Sequence, residues 1–252
     1  MNWSEVTAIF GGAFDPPHLG HREAVESLLR NPGVRNVVVL PAGNPPLKST
    51  GTPAEHRLAM TKLNFASLRE GLSMRVEIDD REIRRDPARP SYTIDTILEL
   101  RRDLDRPLAF VVGVDQIESL ERWHRIRELL GLCHWIAIER QEESIAAEDS
   151  ALKPSAANRM ASGLKRLAAL GLLKSTANPR EWTAHGGTRL LAVPTAARPS
   201  SSTEIRRDFA RGLKVSPHIL GQIGSESLPE PGTENLHPDV ESYLKAHHLY
   251  GT

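Results

Sequence analysis

Two histidines three residues apart, His18 and His21, close the stretch Gly11-Gly12-Ala13-Phe14-Asp15-Pro16-Pro17-His18-Leu19-Gly20-His21. It follows the apolar run Val6 to Phe10, so it reads as a buried strand, a glycine turn and the mouth of a helix. Glycines let backbone N–H groups approach an anion with no side chain in the way. A helix N-terminus adds unpaired donors and the positive end of a dipole. Side chains at i and i+3 share a helix face, so both imidazoles can reach one phosphate chain. The bland alternative is a turn followed by two surface histidines. A zinc site is a poorer match, because the spacing is neither His-Glu-x-x-His nor cysteine-bearing. A Walker A loop is excluded by the missing Gly-Lys-Ser/Thr ending.

A second constellation comes late, at Arg198-Pro199-Ser200-Ser201-Ser202-Thr203-Glu204-Ile205-Arg206. Ser201 and Glu204 have capping-box spacing, which explains part of it. The density of hydroxyls beside Arg206 is left over. Ile205 and Phe209 form the buried i,i+4 pair of this helix, and Gly212 suits its end. Alone, the segment is open between a cap and an anion site. Paired with the first stretch, anion binding is the better reading.

The elements that must position these residues alternate as in a parallel sheet with helices on its faces. Strands are expected at Val6–Phe10, Val37–Leu40, Met74–Ile78, Leu108–Val112, His134–Ile138 and Arg189–Val193. Helices are expected at Leu19–Arg30, Ala54–Leu68, Ser91–Arg102 and Ile126–Leu130. In the first, Ala24, Val25, Leu28 and Leu29 make one apolar stripe, and Asn31-Pro32-Gly33 stops it. The fold class is α/β, a Rossmann-like doubly wound parallel sheet with a small C-terminal helical subdomain. Residues 1–199 form the nucleotide domain, with a partly helical insert at about 141–187 that turns helical around Asn158–Leu173. Residues 200–252 form the subdomain, with helices at Thr203–Arg211, Ser216–Ile223 and Pro238–His248 around a loop at Gly224–Gly232. Ligands in such sheets bind beyond the carboxyl ends of the strands, where the histidine stretch sits.

Bulk composition narrows the partners. Lys+Arg and Asp+Glu both number 32 in 252 residues, so the formal net charge is zero and a general nucleic-acid binder is disfavoured. No apolar run approaches the roughly 20 residues that span a bilayer. The first strand begins within a few residues of the start, so no signal peptide is expected and the location reads as cytoplasmic. One cysteine, Cys133, excludes an internal disulfide and reads as a small buried hydrophobe. Self-association is left open.

The GGxFDPxHxGH stretch and the Ser-Ser-Thr-x-Ile-Arg segment resemble the two hallmark motifs of the HxGH nucleotidyltransferase superfamily. Within it the chain is similar to the bacterial nicotinate-nucleotide adenylyltransferase family. Pro41-Ala42-Gly43-Asn44-Pro45-Pro46-Leu47-Lys48 resembles that family's substrate loop, and Pro90 to Thr96 its Ser-Tyr-Thr-x-x-Thr segment. Phe110 to Asp115 with Trp123 resembles its Gly-x-Asp and tryptophan segment, and Val240 to Tyr250 its ending. The resemblance implies catalytic roles for His18, His21 and Arg206. It implies that ATP meets these three together with Gly11, Gly12, Phe14, Gly113, Asp115, Ser202 and Thr203, with Asp115 on a ribose. The acceptor would meet Ala13, Asn44, Lys48, Tyr92, Thr93 and Trp123, the last walling a nicotinate ring. The middle residues have plainer readings: Ser91-Tyr92-Thr93 as a helix cap, Trp123 as core, Lys48 as a solvated lysine, and Arg84, Arg85 and Arg89 as a solvated basic run.

The implied reaction joins ATP and nicotinate mononucleotide into deamido-NAD and pyrophosphate, with Mg²⁺ bound mainly through ATP phosphates and no protein metal site. The departures are Leu47 in place of histidine, Ala13 in place of Thr or Ser, Ser200 in place of isoleucine, the Arg198-Pro199 lead-in, and Arg140-Gln141-Glu142 in place of Arg-Pro-Gly. They bear on substrate affinity more than on reaction class. Other readings are a superfamily transferase acting on nicotinamide mononucleotide, pantetheine phosphate or glycerol phosphate, and a non-catalytic nucleotide-binding module.

Overall fold

The computed structural model describes residues 5–71, 75–140, 155–195, 197, 200–212 and 234–251. Its strands are β1 (Val6–Gly12), β2 (Val34–Pro41), β3 (Val76–Ile78), β4 (Leu108–Val112), β5 (His134–Arg140), β6 (Leu173–Ser175), β7 (Glu181–Ala184) and β8 (Arg189–Thr195). They form one sheet in the order β3-β2-β1-β4-β5-β8-β7-β6. The six strands from β3 to β8 in that order pair in parallel, and they are the six read from the sequence. The helices are α1 (Leu19–Arg30), α2 (Ala54–Gly71), α3 (Thr93–Asp103), α4 (Val114–Ile117), α5 (Ile126–Leu132), α6 (Ala156–Ala169), α7 (Ser202–Gly212) and α8 (Pro238–Ala246).

Alternation along the central strands divides the core in two. Ile9 and Phe110 face one way, with Ile94, Ile97 and Leu100 of α3, Leu129 of α5 and Leu164 of α6. Their chain neighbours Ala8, Phe10, Ala109 and Val111 face the other way, onto Ala24, Val25 and Leu28 of α1 and Phe65 of α2. Strands buried on both faces are expected to be nearly continuous apolar runs, as β2 and β4 are. Cys133 is buried, and desolvation pushes its thiol up to about 12. The strand order reverses beside β1, which runs next to β2 on one side and β4 on the other. The crevice outside such a reversal is where open α/β sheets hold ligands.

The insert differs from the expectation. Residues 141–154 lie outside the described part, α6 ends at Ala169, and the chain then adds β6 and β7 as antiparallel strands at the sheet edge. These strands are three and four residues long, β6 mostly exposed and β7 half-buried, too short for a period-2 pattern to mark them. The expected helix Ser216–Ile223 and loop Gly224–Gly232 also lie outside the described residues. α7 and α8 bury Ile205, Phe209, Val240 and Leu244 with Met60 of α2 in a third, separate cluster. Among the described residues no helix is long and apolar enough to cross a membrane.

If α6 is part of the main core, Leu167→Ala, at a fully buried position, lowers stability by about 2–5 kcal/mol in urea titration. Leu170→Ala, at a position 47% exposed, stays within about 0.5 kcal/mol of the parent. Equal effects at the two positions would contradict this packing.

Candidate active site

Strand β1 ends at Gly12 and α1 begins at Leu19, so the motif occupies the carboxyl end of the sheet beside Gly113 at the end of β4. A Cβ on Gly11 would meet the Phe110 ring at 2.9 Å, and one on Gly12 the Phe14 ring at 3.0 Å. Those two glycines are therefore packing requirements. Phe14 takes φ of 50° and is buried, with its ring centroid 5.0 Å from that of His21. Only its backbone can meet a ligand. His18 is the N-cap of α1, and its backbone N–H donates to His21 Nδ1 at 3.2 Å. The two imidazoles stack with centroids 3.7 Å apart.

The late motif comes to the same place. α7 starts at Ser202, whose hydroxyl donates to the Pro16 carbonyl at 2.9 Å. Arg206 Nη1 donates to the Asp15 carbonyl, and Nη2 donates to Thr203 Oγ1 at 3.3 Å. The buried Asp15 carboxylate then gathers two further segments beside α7. It accepts from Tyr250 OH at 2.6 Å and from Gly51 N–H at 3.2 Å, and lies 3.8 Å from Arg206 Nη1. Burial and the bond to Asp15 push the Tyr250 hydroxyl far up, so it stays a donor. The Arg206 side chain that anchors α7 remains 32% exposed.

Arg57 in α2 is 1% exposed, a position that sequence reasoning left unassigned. Its guanidinium donates to four carbonyls: Thr52 at 3.2 Å, Ala13 at 2.8 Å, Ala42 at 2.6 Å and Gly43 at 2.7 Å. Desolvation pulls its pKa down, opposed chiefly by the nearby Asp15 charge. One cation thus clamps the glycine turn to the loop after β2. The available signal was positional. Met60, Thr61, Asn64, Phe65 and Leu68 are the buried stripe of α2, and Arg57 lies one turn before it on the same face.

The loop after β2 is docked on its far side by Ser91. Asn44 N–H donates to Ser91 Oγ at 3.1 Å, and Ser91 N–H donates to the Asn44 carbonyl at 2.8 Å. Helix α3 starts later than the expected Ser91, at Thr93 with Tyr92 as N-cap and no side-chain capping bond. The cap reading of Ser91-Tyr92-Thr93 is therefore corrected. Tyr92 stacks on His124 with centroids 4.2 Å apart, and the half-buried Trp123 meets Phe110 edge-on at 5.8 Å. Glu82 accepts from Thr96 Oγ1 at 2.7 Å and from Gly43 N–H at 3.4 Å. Arg85 donates to Thr96 Oγ1 at 2.9 Å, so it is not the solvated cation expected, whereas Arg84 and Arg89 are exposed. Lys48 is exposed in the loop. Asp115 lies in the first turn of α4, just after β4, with its side chain 78% exposed and paired to Arg159 of α6 at 2.7 Å.

Two consequences can be measured. Arg57→Met orphans buried carbonyls and lowers stability by about 2–4 kcal/mol; an unchanged denaturation midpoint contradicts the clamp. Burial raises the Glu82 carboxyl above its unfolded value, despite the Thr96 bond and the Arg85 charge. The native state therefore holds a proton that the unfolded state has lost. This contribution is full below about pH 4.3 and falls away as pH rises through the folded pKa. The stability difference between the parent and Glu82→Gln should shrink across that window and be flat above it. A pH-independent difference contradicts the assignment.

Known proteins give this geometry a family. The chain matches the cytidylyltransferase-like family model over residues 9–208. It is 40% identical over 136 residues to a probable nicotinate-nucleotide adenylyltransferase of Yersinia enterocolitica, covering 53% of this chain and 59% of that one. It is also 40% identical over 143 residues to a protein of the same name from Sodalis glossinidius, covering 56% and 63%. Each match therefore spans less than two thirds of the relative's length. Among solved structures it is similar in fold to Plasmodium falciparum nicotinic acid mononucleotide adenylyltransferase complexed with NaAD. That TM-score is 0.60 at 18% identity, over 98% of this chain and 97% of the other. Matched from β1 into α7, and so across both motifs, the chain belongs to the cytidylyltransferase-like family.

Proposed function

We propose that this chain is an adenylyltransferase of NAD biosynthesis, joining ATP and nicotinate mononucleotide to give deamido-NAD and pyrophosphate. The observation that carries the reading is the meeting of two helix N-termini, α1 with His18 and His21 and α7 with Thr203 and Arg206, at the β1/β4 reversal. Amides, imidazoles and a guanidinium gathered there suit a polyphosphate. The likeness to nicotinate-nucleotide adenylyltransferases favours nicotinate mononucleotide as acceptor.

The acceptor phosphate attacks the α-phosphorus in line, a new P–O bond forms, and pyrophosphate leaves with the electron pair of the broken one. A phosphate monoester has a second pKa of about 6, so it arrives ionised and needs no general base. The protein's part is positioning and charge stabilisation. His21 donates to the α-phosphate, where charge develops, and His18 to the neighbouring phosphate. Arg206, Thr203, Ser202 and the α7 amides hold the β- and γ-phosphates. Gly11, Gly12 and the Phe14 backbone line the floor. Gly113 bounds the adenosine side, where a Cβ would meet nothing within 4 Å. Asp115 would accept from ribose while sharing its charge with Arg159. Asn44, Lys48, Ala13, Tyr92, Thr93 and Trp123 form the acceptor side. Mg²⁺ would be carried mainly by ATP phosphates and water rather than by a protein cage. When bound, it neutralises phosphate charge.

Pyrophosphate release should appear with ATP, Mg²⁺ and nicotinate mononucleotide. It should be much weaker with nicotinamide mononucleotide or pantetheine phosphate. Release with none of them would leave only a nucleotide-binding module. His21→Ala should lower kcat by about 10²–10³ with ATP still bound, as loss of a transition-state donor does. Near-normal turnover would sink that role.

A further inference from the structure

A backbone amide can only donate. The His18 N–H bond at 3.2 Å therefore leaves His21 Nδ1 without a proton, and the neutral His21 ring carries its proton on Nε2. The His18 ring lies against it, 3.7 Å away with 25° between planes, and is 1% exposed. His18 is the N-cap of α1. Its Nδ1 lies 2.8 Å from the hydroxyl of Ser200, which arrives from 182 residues further along the chain and is 5% exposed.

We propose that Ser200 is a positioning residue for His18. Its hydroxyl donates to Nδ1 and so keeps the proton of the neutral ring on Nε2. Ser200 then does for His18 what the His18 amide does for His21. An anion can only accept, so a ring offering a bare Nε2 to phosphate would oppose it, whereas Nε2–H attracts it. Two such rings supply two donors without placing two like charges in a 3.7 Å stack. A serine hydroxyl rotates to suit its partner and can take the donor role. The use of these donors rests on the adenylyl-transfer reading; the tautomer does not.

The test is two-bond ¹H–¹⁵N correlation NMR on histidine-labelled parent, Ser200→Ala and Ser200→Thr proteins, with turnover measured on the same samples. His18 should show the Nε2–H pattern in the parent and a tautomer mixture in Ser200→Ala, with His21 unmoved and Ser200→Thr restored. In Ser200→Ala, kcat should fall about fivefold to tenfold with KM for ATP within about twofold, the loss of one hydrogen bond acting through His18. Should Ser200→Ala not fold, Ser200→Cys weakens the donor at nearly the same shape and should move His18 in the same direction. An Nδ1–H pattern in the parent, an unmoved His18 signal in the variants, or a moved signal with unchanged kcat overturns the proposal. A parent protein that releases no pyrophosphate with any acceptor defeats the functional reading instead, and the tautomer result still stands or falls by itself.

Discussion

The buried Asp15 carboxylate is the joint on which this architecture turns. A carboxylate removed from water needs charge or hydrogen-bond partners to be tolerated. Asp15 obtains them from Tyr250, Gly51 and Arg206, which lie 235, 36 and 191 residues away in sequence. Satisfying one side chain thus brings the C-terminal end, the loop after β2 and the N-terminus of α7 onto the turn between β1 and α1. Removing any partner would leave a buried charge short of compensation, so the two helix termini cannot drift apart cheaply.

Arg57 provides the opposite charge on the other side of the same turn. Its four carbonyl acceptors belong to the glycine turn, the loop after β2 and the start of α2. Together Asp15 and Arg57 make a rigid floor from backbone that would otherwise be two independent loops. The groups set over that floor are more exposed: Lys48, Asn44, Thr203 and the half-exposed face of Arg206. This contrast suits the proposed function, in which a polyphosphate would be held in register while two substrates enter and leave.

The parallel sheet was legible because β1, β2, β4 and β5 are buried on both faces and read as apolar runs. Helix α1 was legible because Ala24, Val25, Leu28 and Leu29 keep one period and Asn31 to Gly33 end it. The residue types of both motifs were legible too. Their division of labour was not. Ser202 and Arg206 could be read as anion ligands, but their bonds to the Pro16 and Asp15 carbonyls depend on how α7 docks. Ser91 had the look of a cap and instead holds Asn44, because a hydroxyl's partner is set by tertiary approach. Strands β6 and β7 were missed because strands of three and four residues are too short to show a period. Arg57 was passed over because a cation on an apolar stripe is unremarkable until its carbonyl partners are seen.

The central claim is that α1 and α7, joined at Asp15, hold one triphosphate between them. A crystal structure with a non-hydrolysable ATP analogue tests it most directly. The account predicts phosphates within hydrogen-bond distance of His18, His21 and Arg206, with the adenosine running past Gly113. A triphosphate seated away from both helix termini, such as at the opposite end of the sheet near Arg75 and Arg106, would contradict it.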